Sequence, residues 1–378
     1  MRSLTPALTL LALGLAGAVA GSTPPATAVG LSAPSEWAWT ELADLDVDGH
    51  GWDTGTEPFE RLPSKYAERL DPATWSASRA PAGLSVDFAT DSPRLTLAWV
   101  ANPVASQAPL GPDGFDLYLR SGVAWRHVRV LAPRGEPGSA EAIVVFDGLP
   151  SEERVFRLYL PLGSRVSDVR LGVDPTASLE SWTAPARAGE HPVVLFGGLD
   201  AAGAGASRAG RALPAQLARR IDRDVLNLGL PSERLLDLDF GALLAELNAC
   251  LFVFDLMRDV DAETLGEGLE PFINGLRRAR PWASVLVIDA PDPPAAALDP
   301  ALAAEFARRR ETQRRVVDEL GANGVVGVYH LQADGLVGEG DEWSADGWLR
   351  GDVGLDHSVE LLVEGLRPIL GAWENRGE

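Results

Sequence analysis

From Val193 onward one pattern constrains the fold more than any other. Five short apolar runs, at 193–196, 224–228, 251–255, 284–289 and 324–329, alternate with helix-period segments. Those segments span 206–220, 234–247, 262–280, 300–320 and about 352–373. Strands that are apolar throughout are buried on both faces, so the alternation predicts an open, mostly parallel sheet with helices on either side. In such sheets chemistry gathers where the strands stop. The first run, Val193-Val194-Leu195-Phe196, stops at a glycine turn reading Gly197-Gly198-Leu199-Asp200-Ala201-Ala202-Gly203.

The period differs before that point. Leu84, Val86 and Phe88 alternate with Ser85 and Asp87, and Leu95, Leu97 and Trp99 with Thr96 and Ala98. Phe115, Leu117 and Leu119 repeat the pattern, and Pro93, Gly114, Gly122, Gly148 and Pro150 punctuate it. Short alternating strands with no helix period between them predict a β-sandwich over 37–180. A chain of 378 residues is long for one domain, and the change of period divides it in two. A polar, small-residue linker covers 184–190 and an α/β domain 186–374.

Residues 1–20 read as a secretory signal: Arg2, the apolar run 8–16, and Ala18-Val19-Ala20 at a small-x-small cut. Gly21 follows the cut, so a bacterial lipid anchor there is not expected, and 21–36 reads as a flexible leader. The expected location is outside the cell or in the periplasm. A net charge of −21 argues against nucleic acid and against anionic membrane surfaces, both of which need clustered cations. Cys250 is the only cysteine, which excludes an internal disulfide, and it leads an apolar run as a small core residue would. Trp52, beside Asp53 and Glu57, is the best placed tryptophan for an exposed glycan-binding face, against core packing as the ordinary fate of the rest.

The turn Phe196-Gly197…Gly203 resembles the first block of the SGNH (GDSL-type) hydrolases, part of which reads Phe-Gly-Thr-Ser-Ile-Thr-Gln-Gly with Ser as nucleophile. Leu199 stands at that serine. Asn227-Leu228-Gly229 resembles the second block, but Ser232-Glu233 occupy the places of its Gly-Asn pair. Asp255 matches the third block, with Asp259 at its oxyanion-binding Asn. Asp346-Gly347 opens the fifth, Asp-x-x-His, with Leu349 at the His and Arg350 at the usual Pro. The resemblance implies a flavodoxin-like three-layer α/β/α fold. Thr90-Asp91-Ser92-Pro93-Arg94-Leu95, Gly114-Phe115-Asp116-Leu117-Tyr118 and Leu158-Tyr159-Leu160-Pro161-Leu162 resemble the jelly-roll domain that precedes some secreted members.

Acyl transfer of this kind needs a nucleophilic oxygen, an imidazole and oxyanion donors. Leucine supplies neither of the first two, and a carboxylate only accepts hydrogen bonds. The expectation is therefore a non-catalytic relative, with a glycan or acylated carbohydrate as the implied partner and an open oligomeric state. The alternative is a displaced esterase site using Ser232 and His330, with His330 read as the end of the fifth strand. No cofactor or metal is expected. Asp200, Asp255, Asp259, Asp346 and Asp352 could converge to hold a hard cation, against solvation or pairing with Arg234, Arg258 and Arg350. The Gly198/Gly203/Gly205/Gly210 run fails as a phosphate cradle, since Ala204 stands where a lysine is needed.

Overall fold

A computed structural model describes residues 36–53, 55–104, 111–184, 191–332 and 342–375. The expected signal, most of the leader and most of the linker lie outside these residues. In the N-terminal half, strands β1 (Ala38–Glu41), β2 (Val47–Asp48), β3 (Ser85–Thr90), β4 (Leu95–Pro103) and β5 (Phe115–Ser121) come first. Next are β6 (Ala124–Leu131), β7 (Ala140–Phe146), β8 (Arg154–Tyr159), β9 (Ser164–Val173) and β10 (Leu179–Ser181). They make two antiparallel sheets, ordered β1-β9-β4-β7 and β10-β3-β8-β5-β6, with β2 beside β3. Leu95, Leu97 and Trp99 of one sheet share a core with Phe88, Phe115, Phe156 and Leu158 of the other. This is the burial that the alternation predicted.

A helix that the alternation did not predict, α1 (Pro72–Ser78), interrupts these strands. Its start follows local rules: Asp71 caps Ala73 N and Thr74 N, and Pro72 takes the first helical position, where a missing N–H is harmless.

In the C-terminal half the strands are β11 (Val193–Gly197), β12 (Val225–Gly229), β13 (Leu251–Asp255), β14 (Ser284–Ile288) and β15 (Val328–Leu331). They form one parallel sheet in the order β12-β11-β13-β14-β15. Its helices are α2 (Leu199–Ala202), α3 (Leu213–Ile221), α4 (Leu238–Glu246), α5 (Ala262–Ala279), α6 (Pro300–Ala322) and α7 (Asp352–Glu374). Val194, Phe196, Phe252 and Phe254 pack under α4, α5 and α6, while Val193, Leu195, Leu251 and Val253 pack under α3 and α7. Successive residues thus face opposite helical layers, which is why the runs are apolar at every position. Strand β15 lies later than its expected 324–329, because Gly324 and Gly327 adopt positive φ and form the turn before it.

The described residues from Trp37 onward form one compact unit. The buried Asp116 of β5 binds Arg208 Nη1 at 2.7 Å and Gly210 N at 2.9 Å. Arg61 donates to Ala80 O at 3.0 Å on its own side and to Gly229 O at 2.7 Å, at the end of β12. Among the described residues no helix is long and apolar enough to cross a membrane.

Candidate functional site

Four of the loops singled out in the sequence meet at the C-terminal edge of the parallel sheet. Strand β11 ends at Gly197 and turns at Gly198 into the single turn of α2, which Gly203 closes at φ 96°. Strand β12 ends at Gly229, whose amide donates to Asn227 Oδ1 at 3.0 Å, while Asn227 Nδ2 donates to Ala202 O at 3.0 Å. Only glycine fits at 229, since a Cβ there would lie 2.1 Å from Ala202 N. Strand β13 delivers Asp255, Arg258 and Asp259, and the loop before α7 delivers Trp348, Leu349 and Arg350.

The centre of this edge is a buried ionic network. Arg350 is fully buried; its Nε lies 2.6 Å from Asp200 Oδ2, its Nη2 binds Asp255, and its Nη1 donates to Ser358 Oγ at 3.2 Å. The Arg350 backbone N–H also donates to Asp200 Oδ1 at 2.9 Å. Arg258 places Nε 3.0 Å from Asp200 Oδ2 and donates through Nη1 to Trp348 O at 2.6 Å. Every charged member here lies at or just beyond a strand end or helix start (Asp255 ends β13, Asp200 is in α2, and Arg258 and Arg350 are in loops), so the order of the strands brings them together.

Their electrostatics follow from burial and count. Burial raises the Asp200 carboxyl, but the Arg350 and Arg258 guanidiniums outweigh it and hold the group below its ordinary value. Asp255 ends above its ordinary value through burial, despite Arg350, with Asp200 adding to the rise. Asp259 is pushed up to about 7, first by burial and then by the Asp255 and Asp200 carboxylates. Its carboxyl lies against Gly198: a Cβ on that glycine would sit 2.1 Å from the carboxyl carbon and both its oxygens.

The residues expected at the site distribute as follows. Leu199 packs on Ala77 and Ala80, and Leu349 is half-buried. The exposed Asp346 accepts Trp348 N at 2.9 Å and Leu349 N at 2.8 Å, a local turn, and does not pair with Arg350. Asp352 binds Ser207 N at 3.0 Å and faces Arg211. The five carboxylates therefore do not converge: Asp200, Asp255 and Asp259 do, with arginines among them. Among the described residues no group of three or more His, Cys, Asp or Glu is arranged to hold a metal ion.

Ser232 and His330 are not brought together. Ser232 follows β12 and His330 lies within β15, the two outer strands of a five-stranded sheet. Four strand spacings separate them, roughly 19 Å, far beyond hydrogen-bond reach. Ser232 Oγ instead accepts Arg234 N at 3.1 Å, and His330 Nε2 lies 2.8 Å from Asp289 Oδ1, which also accepts Gln313 Nε2 at 2.9 Å. Trp52 is not an open platform either: it is half-buried, donates to Glu246 Oε2 at 2.7 Å and tilts against Tyr66. Two participants escaped sequence reasoning, Arg61 and Gly198 as the seat of Asp259, whereas pairing of Asp200 with Arg258 and Arg350 is the alternative weighed there against a cation site. The available signal was charge in otherwise apolar strand-end loops.

Two family models match the chain: over 37–179 the GxDLY N-terminus of SGNH hydrolase-type esterases, and over 190–367 the GDSL-like lipase/acylhydrolase family. No curated protein matches. Among solved structures, a protein described as a GDSL-like lipase from Bacteroides ovatus is similar at 24% identity and TM-score 0.81, over 89% of this chain and 98% of its own. A salicylyl-acyltransferase from a tetracycline biosynthetic pathway is similar at 18% identity and TM-score 0.68, over 88% of this chain and 99% of its own. A family two carbohydrate esterase from Clostridium thermocellum, solved with cellohexaose, is similar at 13% identity and TM-score 0.53, over 78% and 96%. At these identities the likeness is one of fold. With both halves matched by models of one kind of enzyme, and the three-layer α/β/α architecture present, the chain belongs to the SGNH/GDSL hydrolase superfamily.

Proposed function

We propose that this chain is an exported SGNH-fold protein that does not perform serine acyl transfer and acts by binding, with carbohydrate as the ligand class. In this reading two jelly-roll sheets precede the α/β domain, and cleavage after Ala20 releases the mature chain. One observation carries it: Asp200, Arg350, Asp255 and Arg258 form a buried ionic network where the family assembles its nucleophile, base and oxyanion donors. Leu199 and Leu349 have no group that can attack a carbonyl or take a proton. Asp259 would meet an oxyanion with an acceptor in its ionised form.

The comparisons favour a second reading, an active ester hydrolase on carbohydrate-type substrates, since carbohydrate esterases recur among the proteins of similar fold. It requires a nucleophile other than Leu199, and a base other than His330 acting on Ser232.

A fluorophosphonate serine probe and short-chain aryl and sugar acetates separate the two. The first reading expects no labelling and hydrolysis no faster than a heat-denatured control. Stoichiometric labelling of one serine, abolished by mutating that serine, establishes the second.

A further inference from the structure

We propose that a cavity at one end of the two antiparallel sheets is a binding site for a neutral pyranose ring. The cavity, about 300 Å³, is formed by the end of β4, the β6–β7 turn and the start of β9. That volume is at the lower end for small-ligand pockets, the scale of one or two sugar units. The inference rests on the carbohydrate-binding reading above and gives it a location away from the ionic network.

The lining chemistry selects the ligand. Asn102 offers an amide with both donor and acceptor capacity; Asp113, Ser139 and Ser164 add a carboxyl and two hydroxyls. Among the described residues no Lys, Arg or His lines the cavity, and Glu136 and Glu141 do. An anionic ligand such as a uronic acid would meet only like charge there. A metal ion is disfavoured by the same walls, because Asp113, Glu136 and Glu141 are not among any group arranged to hold one. Glu141 is moreover already engaged by the Arg134 and Gly135 amides. Burial pushes the Asp113 carboxyl up, and the buried Ser164 Oγ has no hydrogen-bond partner among the described residues. A neutral polyol matches what remains, since each hydroxyl can donate to a carboxylate and accept from an amide. Pro133 and Pro137 supply apolar wall for the C–H face of a ring.

The cavity also has a place in the molecule. Its wall residue Gly163 adjoins Leu162, which lies beside the Gly203–Ala204 turn: Leu162 Cδ1 is 3.5 Å from a Cβ built on Gly203. A sugar held here would border the first SGNH block without entering the ionic network.

The test is ligand-observed NMR and calorimetry on the full mature chain with methyl β-D-glucopyranoside, methyl β-D-xylopyranoside and methyl α-D-mannopyranoside. Glucuronate and calcium chloride serve as charged comparators. We expect at least one neutral pyranoside to bind, with glucuronate at least tenfold weaker. Asn102→Ala should weaken binding about tenfold, and Ser139→Trp, at a half-buried position on the rim, should abolish it. Trp182→Ala, at the Trp125–Trp182 aromatic pair, should leave it unchanged. Absence of binding by all three pyranosides overturns the proposal, as does binding that survives both cavity variants or is lost in Trp182→Ala. Calcium binding in place of sugar also overturns it. None of these outcomes bears on serine labelling, so the non-catalytic reading stands or falls separately.

Discussion

Replacing Arg350 by Met tests whether the ionic network carries stability. The side chain is fully buried and holds two carboxylates, Asp200 at 2.6 Å and Asp255. After the substitution Asp200 keeps Arg258 Nε at 3.0 Å and the Arg350 backbone amide at 2.9 Å. Asp255 keeps less. Its Oδ1 already has no hydrogen-bond partner, and its Oδ2 loses the guanidinium. Breaking a buried pair from one side leaves an uncompensated charge and costs about 3–5 kcal/mol. At about 2 °C per kcal/mol for a unit of this size, the melting temperature should fall by roughly 6–10 °C at pH 8.

The penalty has a sign in pH. Asp255 already sits above its ordinary value, and losing Arg350 raises it further. A carboxyl whose folded pKa is raised contributes stability below its unfolded pKa, near 4, and loses it as pH rises through the folded one. The Arg350→Met penalty should therefore be smaller at pH 5 than at pH 8. Adding Asp255→Asn should recover at least half of it, because the stranded charge is then gone. Arg314→Met is the control: its pair with Glu311 is half-exposed and should matter by less than about 1 kcal/mol. Differential scanning fluorimetry and urea titration at both pH values measure all four. A shift under 2 °C at pH 8 for Arg350→Met, or an equal penalty at both pH values, refutes the reasoning.

Asp259→Asn should be nearly neutral below about pH 4, where the carboxyl is protonated both folded and unfolded, and should stabilise the protein increasingly as pH rises from there through about 7; a pH-independent difference would contradict this. Gly198→Ala should cost on the order of 1–2 kcal/mol by driving a Cβ into the Asp259 carboxyl, and the cost should shrink in an Asp259→Ala background; additive effects would refute the contact. Asp346→Ala should cost about 1 kcal/mol in urea titration, as loss of an exposed local turn does, and leave the Arg350→Met penalty unchanged. N-terminal sequencing of exported protein should begin at Gly21, and retention of Met1 would remove the signal reading.

How legible these features were in the sequence depended on how local their causes are. The parallel sheet could be read from runs such as Leu251-Phe252-Val253-Phe254, because burial on both faces forces every position apolar. Strand β15 was misplaced because it is an edge strand of four half-buried residues, where that pressure is weak, and His330 is tolerated inside it. Helix α1 was hidden by the strand pattern around it, although Asp71-Pro72 is a local start signal. The substitutions Leu199 and Leu349 could be read directly from the blocks. The candidates for an ionic network could be read as well, but not which of them pair, since Asp200, Asp255, Arg258 and Arg350 are up to 150 positions apart and only the strand order makes them neighbours. Trp52 misled for the opposite reason: its acidic sequence neighbours suggested solvent, but its partner is Glu246.

The replacements at the family site depend on one another. Asp200 stands where the first block carries Ile, and an unpaired carboxylate there would be prohibitive in a site this buried. It is matched by Arg350, which stands at a Pro of the fifth block, and by Arg258. Without Asp200, Arg258 would lose its carboxylate and Arg350 would keep only Asp255, and Asp200 without the two arginines would be a buried, unpaired charge. Gly198 stands where the first block carries Thr, and a side chain there would occupy the space that the Asp259 carboxyl fills. Loss of a nucleophile alone would have left the remaining donors and the imidazole in place. Here charge balance is restored among five groups from three loops, with two guanidiniums set against three carboxylates of which one is raised to about 7. In the non-catalytic reading, restoring Ser at 199 and His at 349 would place a dyad beside this ionic network. On that reading, a revertant to the family chemistry must also remove Arg350 and Asp200 together.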